Sequence, residues 1–530
     1  MTGEFLGEGR LLRFGVRRHA LILALVLLYT AGFQLVVLDR PFAYDMEGAA
    51  ASEIGIWARN YLRFDWAQTR GMPVLTVGQH STAPIVLHPD HPPLIPLLVA
   101  AFYAGFGVGE WQARLPMSIM LIAAVCVLYR LLARTATRRA GVVAATVFAA
   151  CPMMLFFGGM PDPSGTPLIL FILLSVVGYL RFHAEPRLST FMPFFAAFGI
   201  ASLCDWPGYV IAPVFLAHFI VTKPRTEWPW IVAFGGAACA LFAAVYVYIT
   251  LATHSPWTWM LPRFARHSTA VGAQAFTLME WLGTAFDFNR RLHTVALLIA
   301  SGLWLVIFGV RFRRPPAGAT VARLLIAWGV ACVVIGNTAA YTHESIWIFL
   351  TPGIAVTTAL LIEWLCLVAE QHRVAAVMGP GVALVVAAFA TWTAYTTYGR
   401  LYPTTPAAPF TPMEMGQAIQ AAAPGSGDLA LVVGGDGGPG AQLWFYGDRA
   451  LRVNIWSISE VEERLTEDWA DLVYNFDVQP WKATATGIVF PRRWDDGFAD
   501  VRVYLEERYP AVRLPPDLSD KFAVFTVPRP

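Results

Sequence analysis

About eleven long apolar runs dictate what this chain can fold into. They lie near 19–38, 115–133, 139–160, 165–182, 189–204, 207–222, 228–252, 293–311, 320–340, 346–368 and 374–396. A helix needs about 20 apolar residues to cross a bilayer, so each run predicts a membrane helix. Runs 189–204 and 207–222 are short and separated only by Asp205-Trp206; they call for local thinning or shared packing. The first run is long and is followed by no small-residue cleavage site, so it reads as a retained span. Only 14% of residues are charged and 56% are hydrophobic, against roughly 25% charged in soluble domains. The fold class is a polytopic α-helical membrane protein. A net charge of +2 gives no field that would draw nucleic acid. All six cysteines fall inside apolar runs, which argues against a disulfide framework or a cysteine metal site.

Basic residues cluster at Arg10–Arg18, Arg130–Arg139, Arg181 and Arg187, Lys223 and Arg225, Arg311–Arg314 and Arg373. These clusters occupy every second loop. The positive-inside rule puts them in the cytoplasm. The opposite loops are then expected outside: 39–114, 161–164, the Asp205 turn, 253–292, 341–345 and everything after about 397. Residues 1–397 form the expected membrane domain. Residues 398–530 change character after a Pro- and Thr-rich linker. Strand-like runs at Leu429–Val433, Leu443–Tyr446, Leu472–Phe476, Gly487–Phe490, Val501–Tyr504 and Phe522–Val527 join helical candidates near Met413–Ala423 and Ile458–Trp469. This predicts a soluble C-terminal α/β domain. The glycine-rich stretch Gly434–Gly438 lacks the Lys-Ser/Thr of a phosphate loop and reads as a turn.

The polar residues of interest lie in the expected outer loops. Asp45 and Glu47 follow the first run, ahead of a helix with apolar residues at Ala50, Ile54, Trp57 and Tyr61. That spacing predicts an amphipathic helix on the membrane surface. Asp45 suits a general base working on a hydroxyl, or simply an acid at a helix start. His91 precedes an apolar piece, 92–107, expected to be re-entrant or interfacial. It could meet a phosphate or a metal, as could His88 with less reason, or be a satisfied polar group. Arg263, Arg266 and His267 sit among Trp257, Trp259 and Phe264, a combination that suits a lipid phosphate or plain interfacial anchoring. His343 and Glu344 mark another outer turn.

The ordered set of Asp45-Met46-Glu47, Ala58-Arg59-Asn60, Pro92-Pro93-Leu94, Glu110-Trp111-Gln112-Ala113-Arg114-Leu115-Pro116 and the Met160-Pro161-Asp162-Pro163 turn resembles the polyprenyl-phosphate-dependent glycosyltransferases of the GT-C fold. The likeness covers about residues 20–360. It points toward bacterial aminoarabinose transferases of lipid A and protein O-mannosyltransferase-like proteins. The resemblance implies transfer of a sugar from a polyprenyl phosphate to a hydroxyl of a lipid, glycan or protein, at the outer face of a bacterial inner membrane and with inversion at the anomeric carbon. It makes Asp45 the catalytic carboxylate; Glu47, the second catalytic candidate, reads as supporting the loop or the acceptor. It puts Asp162 near the donor phosphate or a metal, and has Glu110 and Arg114 brace the loop. His91 stands where the aminoarabinose branch often has lysine. Asp205 stands where a Lys-Gly pair is common. His343 and Glu344 resemble a donor-facing turn. The resemblance fixes no cofactor and leaves a divalent metal open, for which Asp45, His91 and Asp162 are the candidate ligands. The rival reading is a transporter or flippase of a lipid-linked or anionic substrate. Transporters usually bind near the bilayer midplane, whereas here the charged residues gather on one side.

Overall fold

A computed structural model describes residues 5–43, 45–77, 85–268, 276–309, 316–371, 385, 388–389, 391–397, 399, 410–425, 428–433, 441–466, 469–474, 477–482, 485–494 and 497–528. Its contacts divide the chain into two compact units. One comprises Met1–Leu38, Asp90–Leu94 and Arg114–Tyr402; the other comprises Asp39–Pro89, Ile95–Ala113 and Pro403–Pro530.

The first unit is helical. Among the described residues of the chain, six helices are long and apolar enough to cross a membrane: His19–Leu38, Glu110–Thr135, Thr166–Ala184, Arg225–Thr253, Leu278–Gly309 and Glu344–Glu370. Leu188–Cys204, Trp206–Thr222 and Ala319–Ile335 are shorter apolar helices of this unit. Several expected runs are remodelled for local reasons. Run 139–160 breaks into Arg138–Ala150 and Pro152–Phe157, because Cys151 precedes proline and takes an extended ψ of 131°. Leu278–Asn289 is helical where a loop was expected. A capping box starts it: the Thr277 side chain accepts from the Glu280 N–H, and Glu280 accepts from the Thr277 N–H at 2.7 Å. A π-helical turn, Arg290–Thr294, carries this helix onward into the expected span. Run 320–340 ends early at Gly336 and resumes as Asn337–Thr342. The expected crossing at 374–396 falls mostly outside the described residues.

Helices Thr166–Ala184 and Leu188–Cys204 pack closely through Gly178. A Cβ at that position would lie 2.7 Å from the Phe194 Cα, whereas a Cβ at Gly236 would meet nothing within 4 Å. Membrane helices approach through such small residues. Gly178→Ala is therefore expected to destabilise the detergent-solubilised protein by about 1–3 kcal/mol through overpacking. Gly236→Ala should be neutral or slightly stabilising, since alanine is the better helix former. Thermal unfolding of the two variants side by side checks this; equal melting temperatures would contradict it.

The second unit contains helix Met46–Arg63, the short apolar helix Leu94–Phe106 and a C-terminal α/β region. Met46–Arg63 is not a surface helix with one apolar face. Residues Ile54–Asn60 are all buried, with Trp57 only 1% exposed. The Asn60 amide donates to the Val74 and Thr76 carbonyls at 2.8 and 2.7 Å. Protein covers this helix on faces that the sequence pattern assigned to water or lipid.

The C-terminal region builds six strands: β1 (Leu429–Val433), β2 (Ala450–Ile455), β3 (Trp469–Tyr474), β4 (Asp477–Lys482), β5 (Ala485–Pro491) and β6 (Phe522–Thr526). One sheet has the order β2-β1-β5-β6, and β3-β4 is a separate antiparallel pair. β1 runs parallel to β2 and β5, while β6 is antiparallel to β5. Two expected strands are helices instead: Ala441–Gly447 and Ala499–Arg508. In the latter, Val501 and Leu505 are buried four apart and Arg502 pairs with Glu506 four apart, which is helical spacing. The alternation within Val501–Tyr504 is too short to outweigh it. The glycine stretch 434–438 lies outside the described residues.

Candidate active site

Two polar clusters hold the residues singled out by sequence, one in each unit. In the first unit, Asp205 ends helix Leu188–Cys204 and opens the short turn Trp206–Gly208. Its carboxylate is almost fully buried and fully used. Oδ1 accepts from His91 Nδ1 at 2.9 Å and from the Trp206 N–H at 2.8 Å; Oδ2 accepts from the Ser164 hydroxyl. The Asp162 carboxylate accepts from the Ser164 N–H at 2.8 Å, which places it on the same turn. Trp206 Nε1 donates to the Asp90 carbonyl at 2.5 Å. The Asp90 carboxylate pairs with Arg263, whose guanidinium lies 5.6 Å from the Trp259 ring centre.

The electrostatics follow from this packing. Burial alone would lower the pKa of His91, whose side chain is 33% exposed. The Asp205 charge and hydrogen bond, with Asp90 and Asp162 behind them, instead push it up to about 9. Burial raises Asp205 too, but His91, Ser164 and the Trp206 N–H bring it below its ordinary value. Asp162 is raised to about 6, by burial first and then by the Asp205 charge. The cluster therefore holds an imidazolium and a guanidinium among three carboxylates.

In the second unit, Asp45 caps helix Met46–Arg63. It accepts from the Gly48 N–H at 2.7 Å and from Arg40 at 3.2 Å. A Cβ at Gly48 would lie 2.2 Å from the Ala43 carbonyl oxygen, so only glycine lets the preceding chain fold back onto this first turn. Burial and the neighbouring Glu47 raise the Asp45 pKa, against the pull of Gly48 and Arg40. Glu47 is 4% exposed. Glu110 accepts from the Tyr446 hydroxyl at 2.7 Å. His88 is buried with its ring centre 4.4 Å from that of Trp57, a packing role.

The remaining candidates lie apart from these contacts. Arg114 donates to the Leu38 carbonyl at 3.4 Å, closing the end of the first helix. Glu344 pairs with Arg291 at 3.7 Å, and His343 is exposed beside it. The Arg266 and His267 side chains fall outside the described residues. Sequence reasoning did not assign Asp90, Ser164, Trp206, Arg40 or Tyr446. Asp90 adjoins His91 and Trp206 adjoins Asp205, which was a usable signal; Ser164 and Tyr446 carried none.

Residues 90–249 match the sequence model of the dolichyl-phosphate-mannose-protein mannosyltransferase family. No curated protein matches the chain in sequence. Among solved structures, the chain is similar to ArnT from Cupriavidus metallidurans bound to undecaprenyl phosphate, with a TM-score of 0.59 and 14% identity over 96% of this chain and 97% of that one. The fold is that of the GT-C glycosyltransferases. It is shared with the oligosaccharyltransferase of Archaeoglobus fulgidus in complex with Zn and sulfate, at a TM-score of 0.54 and 13% identity over 89% of this chain and 68% of that one. The same archaeal enzyme tethered to an acceptor peptide gives 0.52 and 12% over 93% and 72%.

Among the described residues, no three His, Cys, Asp or Glu side chains are arranged to hold a metal ion. His91 Nδ1 and both oxygens of Asp205 are engaged in the hydrogen bonds above.

Proposed function

We propose that the chain transfers a sugar from a polyprenyl-phosphate donor to a hydroxyl of a lipid, glycan or protein acceptor on the outer face of a bacterial inner membrane. The observation that carries this reading is the His91–Asp205 pair with its Asp162–Ser164 and Asp90–Arg263 neighbours. All of these except Arg263 fall within the stretch that matches the mannosyltransferase family. Cations fixed beside a departing phosphate offset its growing charge, which is usually the largest electrostatic contribution in such sites.

Each residue has a role in a balanced displacement. The bond from the anomeric carbon to the phosphate oxygen breaks, and the bonding pair leaves with the polyprenyl monophosphate. The acceptor oxygen forms the new bond from the opposite side, inverting the anomeric carbon. Asp45 takes the hydroxyl proton, a task that its raised pKa favours. Glu47 supports the loop or the acceptor. His91 and Arg263 meet the phosphate, and Arg266 lies on the same helix, Met260–Ser268. Asp162 orders the turn on the donor side.

The test is to incubate the purified full chain with a panel of polyprenyl-phosphate hexoses and pentoses plus a membrane lipid and glycan extract, and to read products by mass spectrometry. One donor should lose its sugar, release polyprenyl monophosphate and add the sugar mass to an acceptor. Every donor remaining intact would overturn the reading.

A further inference from the structure

Helix Ala441–Gly447 and the next residue, Asp448, make a series of polar contacts to the segment that carries Asp45, all within the second unit. The Tyr446 hydroxyl accepts from the Phe42 N–H at 2.7 Å and donates to Glu110 at 2.7 Å. Gln442 donates to the Ala43 carbonyl at 2.8 Å and to the Asp45 carbonyl at 3.4 Å. At the far end of helix Met46–Arg63, Arg59 donates to the Phe445 carbonyl at 2.8 Å, and Arg63 grips Asp448 through two bonds at 2.8 and 2.5 Å. The backbone ahead of Asp45, the Asp45 carbonyl and the helix that Asp45 caps are thus held from one short C-terminal helix and Asp448. Aromatic packing adds to this: the Phe42 and Phe445 ring centres are 4.9 Å apart.

We infer that the C-terminal region acts in transfer by fixing the Asp45 carboxylate, with Tyr446 and Gln442 as positioning residues. Neither is a catalytic residue, since each acts through the backbone of the Asp45 segment. The inference rests on Asp45 being the base. The physical argument is that hydroxyl activation depends on carboxylate placement, where a shift of about 1 Å costs on the order of 10²-fold. A loop otherwise secured by Arg40 and the Gly48 N–H gains two further anchors at Phe42 and Ala43. Glu110 contributes through the same hydroxyl, because its charge strengthens the bond that orients Tyr446.

Tyr446→Phe removes the bridging hydroxyl and keeps the ring. In the full chain, kcat is expected to fall about 10- to 100-fold, within the range that misplacement of a reacting group produces, with the KM for donor unchanged. Gln442→Met should lower kcat in the same sense and serves as the reporter if Tyr446→Phe fails to fold. Combining Tyr446→Phe with Asp45→Glu should give a loss smaller than the product of the two single losses, because a displaced carboxylate has less positioning left to lose. A merely structural role would lower the amount of folded enzyme but leave its kcat alone. Full kcat in folded Tyr446→Phe, or in Gln442→Met where Tyr446→Phe fails to fold, or full multiplicativity in the double variant, would overturn the inference. An inactive Asp45→Asn alongside a fully active Tyr446→Phe would sink this inference alone; an active Asp45→Asn would sink the assignment of the base on which it rests.

Discussion

Asp45→Asn is expected to leave the protein folded and to lower transfer by at least about 10²-fold, within the roughly 10²- to 10⁴-fold range of a general base. The prediction is clean because asparagine keeps the structural role. Asp45 caps helix Met46–Arg63 by accepting from the Gly48 N–H, and asparagine caps helices about as well as aspartate. What disappears is the basic carboxylate. The pH profile sharpens the test. Burial, followed by Glu47, raises the Asp45 pKa, so wild-type activity should fall on the acid side at a pH above the ordinary aspartate value, as the base becomes protonated. Glu47→Gln should cost less. If Asp45→Asn turned over at the wild-type rate while Glu47→Gln was inactive, the two roles would be exchanged.

The second large effect is expected at Asp205. Its side chain is 3% exposed and is bonded to His91, Ser164 and the Trp206 N–H. Asp205→Asn removes the charge that holds His91 protonated. Breaking one partner of a buried pair costs about 3–5 kcal/mol, and the partial exposure of His91 puts this case near the lower figure. The pH window follows from the two shifts. His91 is raised to about 9, so its contribution is complete below its ordinary pKa and is lost as pH rises through about 9. Asp205 is lowered, so its contribution is present above the ordinary carboxylate pKa and is lost as pH falls through its depressed value. Thermal unfolding should therefore separate wild type from Asp205→Asn most strongly near neutral pH. The gap should narrow above about pH 9. A gap independent of pH would mean that His91 is neutral in the fold.

Six of the roughly eleven expected crossings match helices long and apolar enough to span a membrane among the described residues, because apolar length is a local property. Where expectation and structure differ, the cause is usually a local signal that was underweighted: Pro152 splitting a run, or Thr277 and Glu280 starting a helix inside an expected loop. Asp45 and Asp205 could be found because each is an acid next to a long apolar run. Their partners were harder to see. Asp205 meets His91 114 residues away, and Tyr446 meets Phe42 404 residues away. Nothing in the Leu443–Tyr446 run announces that its tyrosine reaches the Asp45 segment. An isolated apolar run of that length fits a strand as well as a helix.

The fate of the donor lipid tests the central claim most directly. Purified protein in vesicles that contain a labelled polyprenyl-phosphate sugar and acceptor can be followed by lipid mass spectrometry. The donor should be consumed, polyprenyl monophosphate should appear in equal amount with the sugar on an acceptor hydroxyl, and Asp45→Asn should abolish both. Intact donor appearing in the opposite leaflet, with no polyprenyl monophosphate released, would contradict this claim and identify a flippase.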